Sequence, residues 1–286
     1  MKPRRNTPVL VTDADHGVGR AAAICLGEAG FQVLAGGEDL SRMSDLPRET
    51  APGGLIEITS LTTADEASCA AALERVREVF GHLHGIVWAG GAARFGPLEE
   101  LGESETRALM EANVHAPWRL LRLGAPILRE QGHGVMVCVS SAAGRFALPL
   151  SSAYSASRYA LEGLCDALRL ELSFFGVHVV LIEPGLLRER VTTASPEALT
   201  SEDLFGVADD SPYARISASM TDAYHQLIGR AATPEDVARV IETALTVEEP
   251  RPRYAVSRRT AALLWARKLL PDRLVDHRLV QRLRGD

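Results

Sequence analysis

The sequence predicts an α/β protein with a single doubly wound parallel sheet and helices on both faces. Three observations carry this reading. Short runs that are apolar at every position alternate with longer stretches whose apolar residues recur at helical spacing. The alternation continues through the first three-fifths of the chain, as parallel strands joined by crossover helices require. No internal repeat or Pro/Gly/Ser-rich linker divides the 286 residues. One domain over residues 1–257 is therefore expected, followed by a basic helical tail over 258–286.

The elements follow in order. Pro8–Thr12 is an apolar run ending at a turn, and Gly17–Gly30 reads as a helix. Phe31–Ala35 and Leu55–Ile58 are the second and third buried strands. Thr63 with Glu66 three residues on reads as a capping box. Ala67, Ala70, Leu73, Val76 and Phe80 then mark the apolar face of the helix it opens. Gly85–Trp88 is a fourth strand, Ser104–Glu130 one long helix, Val135–Val139 a fifth strand, Ser152–Phe175 a helix and Val177–Ile182 a sixth strand. Residues 186–230 break the pattern. They are rich in Ser, Thr, Asp and Glu, and such an excursion beyond a strand end predicts a lid or binding segment. Its Phe205, Tyr213, Met220 and Tyr224 form either a substrate wall or a satellite core. Thr233–Asp236 opens a helix through Leu245, Arg253–Ser257 is an edge strand, and two amphipathic helices meet at Pro271.

Composition narrows the function classes. Apolar residues make up 46% and charged residues 24%, so a sizeable core is available. A net charge of −6 argues against nucleic-acid binding. The charge is unevenly spread: residues 251–286 hold ten Lys/Arg against three Asp, a net +7, leaving −13 on residues 1–250. A basic tail on an acidic body suggests docking, on a partner subunit or at the periphery of an anionic membrane, or else a solvated helix face. Cys25, Cys69, Cys138 and Cys165 sit in separate apolar runs with no Cys-x-x-Cys pair, as buried thiols in a reducing compartment do. The basic start Met1–Arg5 precedes only a four-residue apolar stretch, too short for a signal peptide. No run reaches the ~20 apolar residues of a membrane span. A cytoplasmic protein is expected. His82 and His84 flank Leu83 without carboxylate or thiol support, so no metal site is assigned.

Chemistry concentrates in a few places. The run Val9–Gly19 ends the first strand and opens a helix with Thr12, Asp13, His16, Gly17 and Gly19 at the turn. Asn113 follows, then Ser141, then Tyr154-Ser-Ala-Ser-Arg158 with Ser141 thirteen residues before Tyr154, and then Glu183-Pro184-Gly185. Pro117 has no N–H, so the Asn113 carbonyl loses its helical partner and can accept elsewhere.

In order and spacing these residues resemble the short-chain dehydrogenase/reductase family, over roughly residues 7–250. The resemblance implies a Rossmann fold, a nicotinamide dinucleotide and a dimer or tetramer. It implies that Tyr154 exchanges a proton with a substrate oxygen, that Ser141 holds that oxygen, and that Asn113 anchors a water. Ser141 as a strand-end cap and Tyr154 as a packed aromatic are the structural alternatives.

The sequence also departs from the family pattern. Asp13 stands where the family has its first glycine, and with Asp15 it puts carboxylates where a dinucleotide's phosphates would lie. At ~5 Å and an effective dielectric of ~20, one such repulsion costs about 3 kcal/mol. Alternatively, both side chains turn to solvent or cap the helix. His16 is either an anion donor or an exposed turn residue. Gly37 occupies the place of the NAD-type ribose aspartate, and Glu38 the place of the NADP-type arginine. Glu57 matches the acidic residue near the adenine, and Gly91 closes Trp88-Ala-Gly-Gly91, where Asn-Asn-Ala-Gly is usual. Trp88 thereby adds apolar bulk near the adenosine wall. The Thr expected after Pro184-Gly185 falls at Glu189. Arg158 replaces the lysine that holds the nicotinamide ribose; it keeps the charge but is planar and longer, and suits a carboxylate.

Together these favour NAD(H) over NADP(H), and leave open that no dinucleotide binds. The leading expectation is an oxidoreductase interconverting a carbonyl and a hydroxyl on a small, largely apolar molecule. The second is a non-redox enzyme (dehydratase, isomerase or cyclase) using Tyr154, Ser141 and Arg158, and the third a catalytically silent binding subunit.

Overall fold

The computed structural model describes residues 7–50, 53–188 and 199–284. Eight strands alternate with the helices: β1 (Pro8–Val11), α1 (Gly17–Glu28), β2 (Gln32–Gly37), β3 (Glu49–Thr50), β4 (Gly54–Ser60), α2 (Glu66–Phe80) and β5 (Gly85–Trp88). Next come α3 (Glu103–Met110), α4 (Ala116–Gln131), β6 (Gly134–Val139), α5 (Ser152–Ser173) and β7 (Val177–Glu183). α6 (Ser201–Phe205), α7 (Ala214–Ile228), α8 (Pro234–Thr246), β8 (Arg253–Ala255), α9 (Arg258–Leu269) and α10 (Asp272–Arg284) complete the described chain.

The strands form one sheet in the order β3-β4-β2-β1-β5-β6-β7-β8. Every pairing is parallel except β3 with β4. The expected doubly wound parallel sheet is thus present, with a two-residue antiparallel strand added at one edge. Because β1 pairs with β2 on one side and β5 on the other, the winding reverses at β1 and opens a crevice beyond the carboxyl ends of β1 and β5.

Alternation along the strands sorts the core into two layers. Val9, Val11, Val33, Ala35, Val137 and Ile182 pack with α1 and α8; Leu10, Leu34, Ile86, Met136 and Leu181 pack with α2, α4 and α5. Full burial of each large aliphatic is worth about 1.5–3 kcal/mol, so both faces select apolar residues and the strands read as unbroken apolar runs. α4 rides close over the sheet, since a methyl group at Gly124 would lie 2.2 Å from Ile86 Cδ1.

Two local expectations are corrected. The α2 cap is Asp65, not Thr63: its carboxylate accepts from the Ala67 and Ser68 amides at 3.2 and 3.1 Å. The Thr63 carbonyl instead accepts from Arg119 Nη1 at 2.8 Å. The single long helix expected over 104–130 is interrupted by a π-turn, Glu111–His115, in which the Ala116 amide reaches back five residues to the Glu111 carbonyl. Pro117, inside the first turn of α4, lacks the N–H that an uninterrupted helix would need there.

Candidate active site

The crevice between β1 and β5 is a cleft of about 250 Å3, lined among others by Asp13, Asp15, Glu38, Leu61, Trp88 and Gly91. Thr12 joins its two walls: Oγ1 accepts from the Ala89 amide at 3.1 Å, and the Thr12 amide donates to the Val87 carbonyl at 3.0 Å. Asp13 has φ of +55°, a left-handed conformation that glycine adopts without strain. Its side chain lies against Gly90, where a methyl group would sit 2.3 Å from Oδ2. Oδ2 is buried without a partner. That burial raises the carboxyl pKa above its ordinary value, against the opposing Thr12 hydrogen bond and the His16 charge.

Asp15 turns the other way. Its Oδ2 accepts from the Asp39 amide at 3.2 Å, and Oδ1 meets His16 Nδ1 at 2.9 Å. The carboxylate fills the space beside Gly37, where a Cβ would lie 3.0 Å from Asp15 Cγ. Neither aspartate caps α1. His16 is the N-cap residue without a side-chain cap, and the first turn carries no acid. This corrects the expectation that both carboxylates crowd the phosphate path: one is buried under Gly90 and the other is drawn to the end of β2. Gly17 has φ of +47°. Gly19 must lack a side chain, because a Cβ there would lie 2.3 Å from the Thr12 and Asp13 carbonyl oxygens.

Glu38 is exposed at the cleft rim. Glu57 is not at the site. β4 runs on to Ser60, so Glu57 pairs mid-strand with Leu34, and its carboxylate meets Arg48 at 3.6 Å. Leu61 and Thr63 line the cleft instead. Trp88 is buried in the core with Nε1 unpartnered, while its edge borders the cleft.

The residues expected to handle protons gather around Gly91, whose φ is +122°. A methyl group there would lie 2.6 Å from both Arg158 Nη2 and Asn113 Oδ1. Asn113 is fully buried; Oδ1 accepts from the Ala92 amide at 2.8 Å, and Nδ2 donates to the Ala92 carbonyl and Ser157 Oγ, both at 2.9 Å. Its side chain therefore clamps the loop after β5 to α5. Arg158 lies one turn beyond Tyr154, and its guanidinium carbon sits 5.2 Å from the Tyr154 ring centroid. Nη1 donates to the Val139 carbonyl at 3.2 Å, and Nε is buried unpartnered. Phe95 meets the Tyr154 ring edge-on, with centroids 5.1 Å apart. Ser141, two residues beyond β6, caps the turn Ala142–Gly144, accepting from the Ala143 amide at 3.1 Å. A hydroxyl used as an acceptor keeps its own proton for donation.

Beyond β7, the Pro184 carbonyl accepts from the Ala142 amide at 2.7 Å, tying that turn to the Ser141 turn. Gly185 is covered by Thr260 of α9; a Cβ at 185 would lie 2.6 Å from Thr260 Oγ1. Glu189 lies outside the described residues.

Pattern reading missed several neighbours of the site. Phe95 sits in a loop with no periodicity, and it also packs against Phe205 of α6, with ring centroids 6.1 Å apart. Phe205, Leu150 and Val207 form a small core with Tyr213, Ile216 and Met220 packed on it. The aromatics of the 186–230 segment thus divide: Phe205 and Tyr213 belong to this core, and it adjoins Tyr154 through Phe95. Behind the site, buried Glu183 meets Arg145 at 3.2 Å and Arg253 at 3.4 Å, while Arg253 also pairs with Glu162 and Asp166 at 3.0 and 2.6 Å.

These residues fit a dinucleotide. The α1 N-terminus is uncapped, its glycines admit close approach of an anion, and the nearby carboxylates are turned aside.

Comparison with known proteins agrees with this geometry. The family profile described as short chain dehydrogenase matches residues 7–199. Human 17-beta-hydroxysteroid dehydrogenase type 1 is 34% identical over 267 residues, 90% of this chain and 80% of that protein. Among solved structures, a short-chain dehydrogenase from Streptomyces avermitilis superposes with a TM-score of 0.76 at 28% identity, over 97% of this chain and 95% of the other. A metagenomic short-chain oxidoreductase in complex with NADP gives 0.67 at 25% identity, over 88% and 96%. With that profile running from β1 past the end of β7, and with relatives matched along nine-tenths of its length, the chain belongs to the short-chain dehydrogenase family of NAD(P)-dependent oxidoreductases.

Proposed function

We propose that the protein interconverts a carbonyl and a hydroxyl on a small, largely apolar molecule, with Tyr154 as the acid/base and NAD(H) as the preferred dinucleotide. The observation that carries the reading is the Arg158 guanidinium 5.2 Å from the Tyr154 ring centroid, beside the apolar Phe95–Phe205 wall. The phenol supplies the O–H that an acid/base step on a substrate oxygen exchanges, and the aromatic wall beside it suits an apolar substrate. Tyr154 Oη passes that proton to or from the substrate oxygen, and Ser141 Oγ donates a hydrogen bond to the same atom. Asn113 holds the Gly91–Ala92 loop against α5, and its backbone carbonyl anchors a water for the proton relay. The dinucleotide, when bound, supplies or accepts the hydride.

The α1 amides from Gly17 to Gly19 would hold its phosphates, with His16 beside them. Thr12 and Gly91 shape the floor, and Pro184 and Gly185 the nicotinamide end. Asp15 supports the NAD(H) preference, since its carboxylate stands where an aspartate at position 37 would reach. A carboxylate there accepts from ribose hydroxyls and repels a 2′-phosphate, and exposed Glu38 adds to the repulsion. The hydroxysteroid dehydrogenase relative supports an apolar substrate.

The test is oxidation of a panel of apolar secondary alcohols, hydroxysteroids included, followed by NADH formation, with Tyr154→Phe as the comparison. Turnover by the parent and its loss in the variant, with NADH binding retained, is the expected result. Undiminished turnover by Tyr154→Phe would overturn the assignment. One observation favours a second, non-redox reading: Arg158 is tied to the Val139 carbonyl at 3.2 Å, a poor setting for gripping a ribose. It predicts that neither NADH nor NADPH binds below millimolar concentration.

A further inference from the structure

A second cleft, of about 410 Å3, lies on the far side of β8, between the end of β7 and α9. Its inner wall is charged but neutralised, because Arg145 and Arg253 are paired with Glu183, Glu162 and Asp166. Its outer wall is different. Arg251 and Lys268 border the cleft, and neither has a carboxylate partner among the described residues; Lys268 Nζ lies 5.7 Å from the Trp265 ring centroid. Trp265 is 63% exposed and Leu269 72% exposed.

Helical geometry puts Trp265 and Leu269 on one face. α9 buries Thr260 and Leu264 against the body. Arg258, Ala262, Trp265 and Leu269, at i, i+4, i+7 and i+11, point the opposite way. Uncompensated cations therefore surround an outward apolar stripe. α10 adds the exposed Arg273, Arg278 and Arg282. It is fixed to α7 by Ser219 Oγ donating to the Leu283 carbonyl and Arg215 Nη2 donating to the Arg284 carbonyl, both at 2.9 Å.

We propose that this face, α9 with Arg251 and α10, docks on the surface of an anionic phospholipid bilayer, with Arg251, Lys268 and Arg258 at the headgroup phosphates and Trp265 and Leu269 in the interface. Three observations favour a lipid occupant. Cations and exposed apolar side chains are interleaved on one helix face, as an anionic interface requires. The charge is polar across the chain, +7 on residues 251–286 against −13 on the rest, so an anionic surface attracts this face and repels the body, fixing one orientation. No described helix is long and apolar enough to cross a membrane, so the contact is peripheral. The proposal is independent of the enzymatic reading, because it concerns residues that take no part in the chemistry.

The test is co-sedimentation of the full chain with phosphatidylcholine vesicles, with and without phosphatidylglycerol. Binding to the anionic vesicles only, weakened by salt, with a blue shift of tryptophan emission, is the expected result. Each cation near an anionic leaflet raises partitioning about fivefold, so Arg251→Glu with Lys268→Glu should weaken binding by more than about twentyfold. Trp265→Phe should abolish most of the emission shift, since Trp88 is buried and the exposed Trp118 lies on α4, which packs against α2 and not against α9. Equal binding to both vesicle types, unchanged binding by the double variant, or an unchanged shift in Trp265→Phe would overturn the proposal. So would binding of inorganic phosphate without vesicles, or a salt-sensitive dimer in vesicle-free solution that the double variant abolishes, which would identify a second copy as the occupant.

Discussion

Asp15→Asn isolates the charge that the structure places beside Gly37. The amide keeps an oxygen for the Asp39 N–H, now accepted at 3.2 Å, so the loop keeps its shape while the charge is lost. The Asp15 side chain is only 10% exposed, so solvent screens it weakly. At ~5 Å and an effective dielectric of ~20, a carboxylate opposes each unit of 2′-phosphate charge by about 3 kcal/mol. Salt and His16 offset part of this. Even 1.4 kcal/mol is tenfold, so NADPH should bind at least about tenfold more tightly to the variant. NADH should bind about tenfold more weakly, since hydrogen bonds from ribose hydroxyls to a charged acceptor are worth about 1.5–3 kcal/mol. The assay is fluorescence titration with each dinucleotide at fixed ionic strength. If both affinities rise together, Asp15 is repelling the phosphates that the two dinucleotides share. That outcome, or no change in either, refutes the ribose-clamp reasoning.

Three more outcomes follow from packing and charge. Gly91→Ala places a methyl group 2.6 Å from Arg158 Nη2 and Asn113 Oδ1 at a φ of +122°, so it should cost about 2–4 kcal/mol, read as a fall in Tm with loss of turnover. Arg253→Met strands the buried Glu162 carboxylate, while Glu183 keeps Arg145, and should cost about 3 kcal/mol in chemical denaturation, with Glu162→Gln restoring part of it. Asp13→Asn tests a titration. Burial raises the Asp13 pKa above 3.8, so its contribution to stability is full below about pH 4 and is lost as pH rises through the raised value. The variant should therefore gain on the parent as pH increases from about 4 toward neutrality, in melts across that range; a difference independent of pH would contradict this.

Much of the fold was legible because both sheet faces are covered, which leaves strands such as Val135–Val139 no reason to carry polar residues. The spacing of Ser141, Tyr154 and Arg158 was legible because two of the three share a helix face. What failed had physical causes. Apolar periodicity locates the middle of a strand but not its carboxyl end, so Glu57 was placed at a site that lies beyond Ser60. Side-chain direction at Asp13 depends on a left-handed backbone, which residue type does not announce. The Asp15–Gly37 contact spans twenty-two positions, and the cluster of Arg145, Glu162, Glu183 and Arg253 draws on four segments; neither has a local signature. Thr63 and Asp65 are both good caps by type, and only the path of the chain into α2 chooses between them.

The contact of Thr260 with Gly185 has a mechanical consequence. A displacement of α9 that carried Thr260 inward would press on Gly185 in the turn after β7, where the Pro184 carbonyl accepts from the Ala142 amide beside Ser141. The last helices of the chain are thereby joined to the turn that holds Ser141. A load taken up at the tail would press first on the Gly185 turn, with no change in any residue that lines the cleft between β1 and β5.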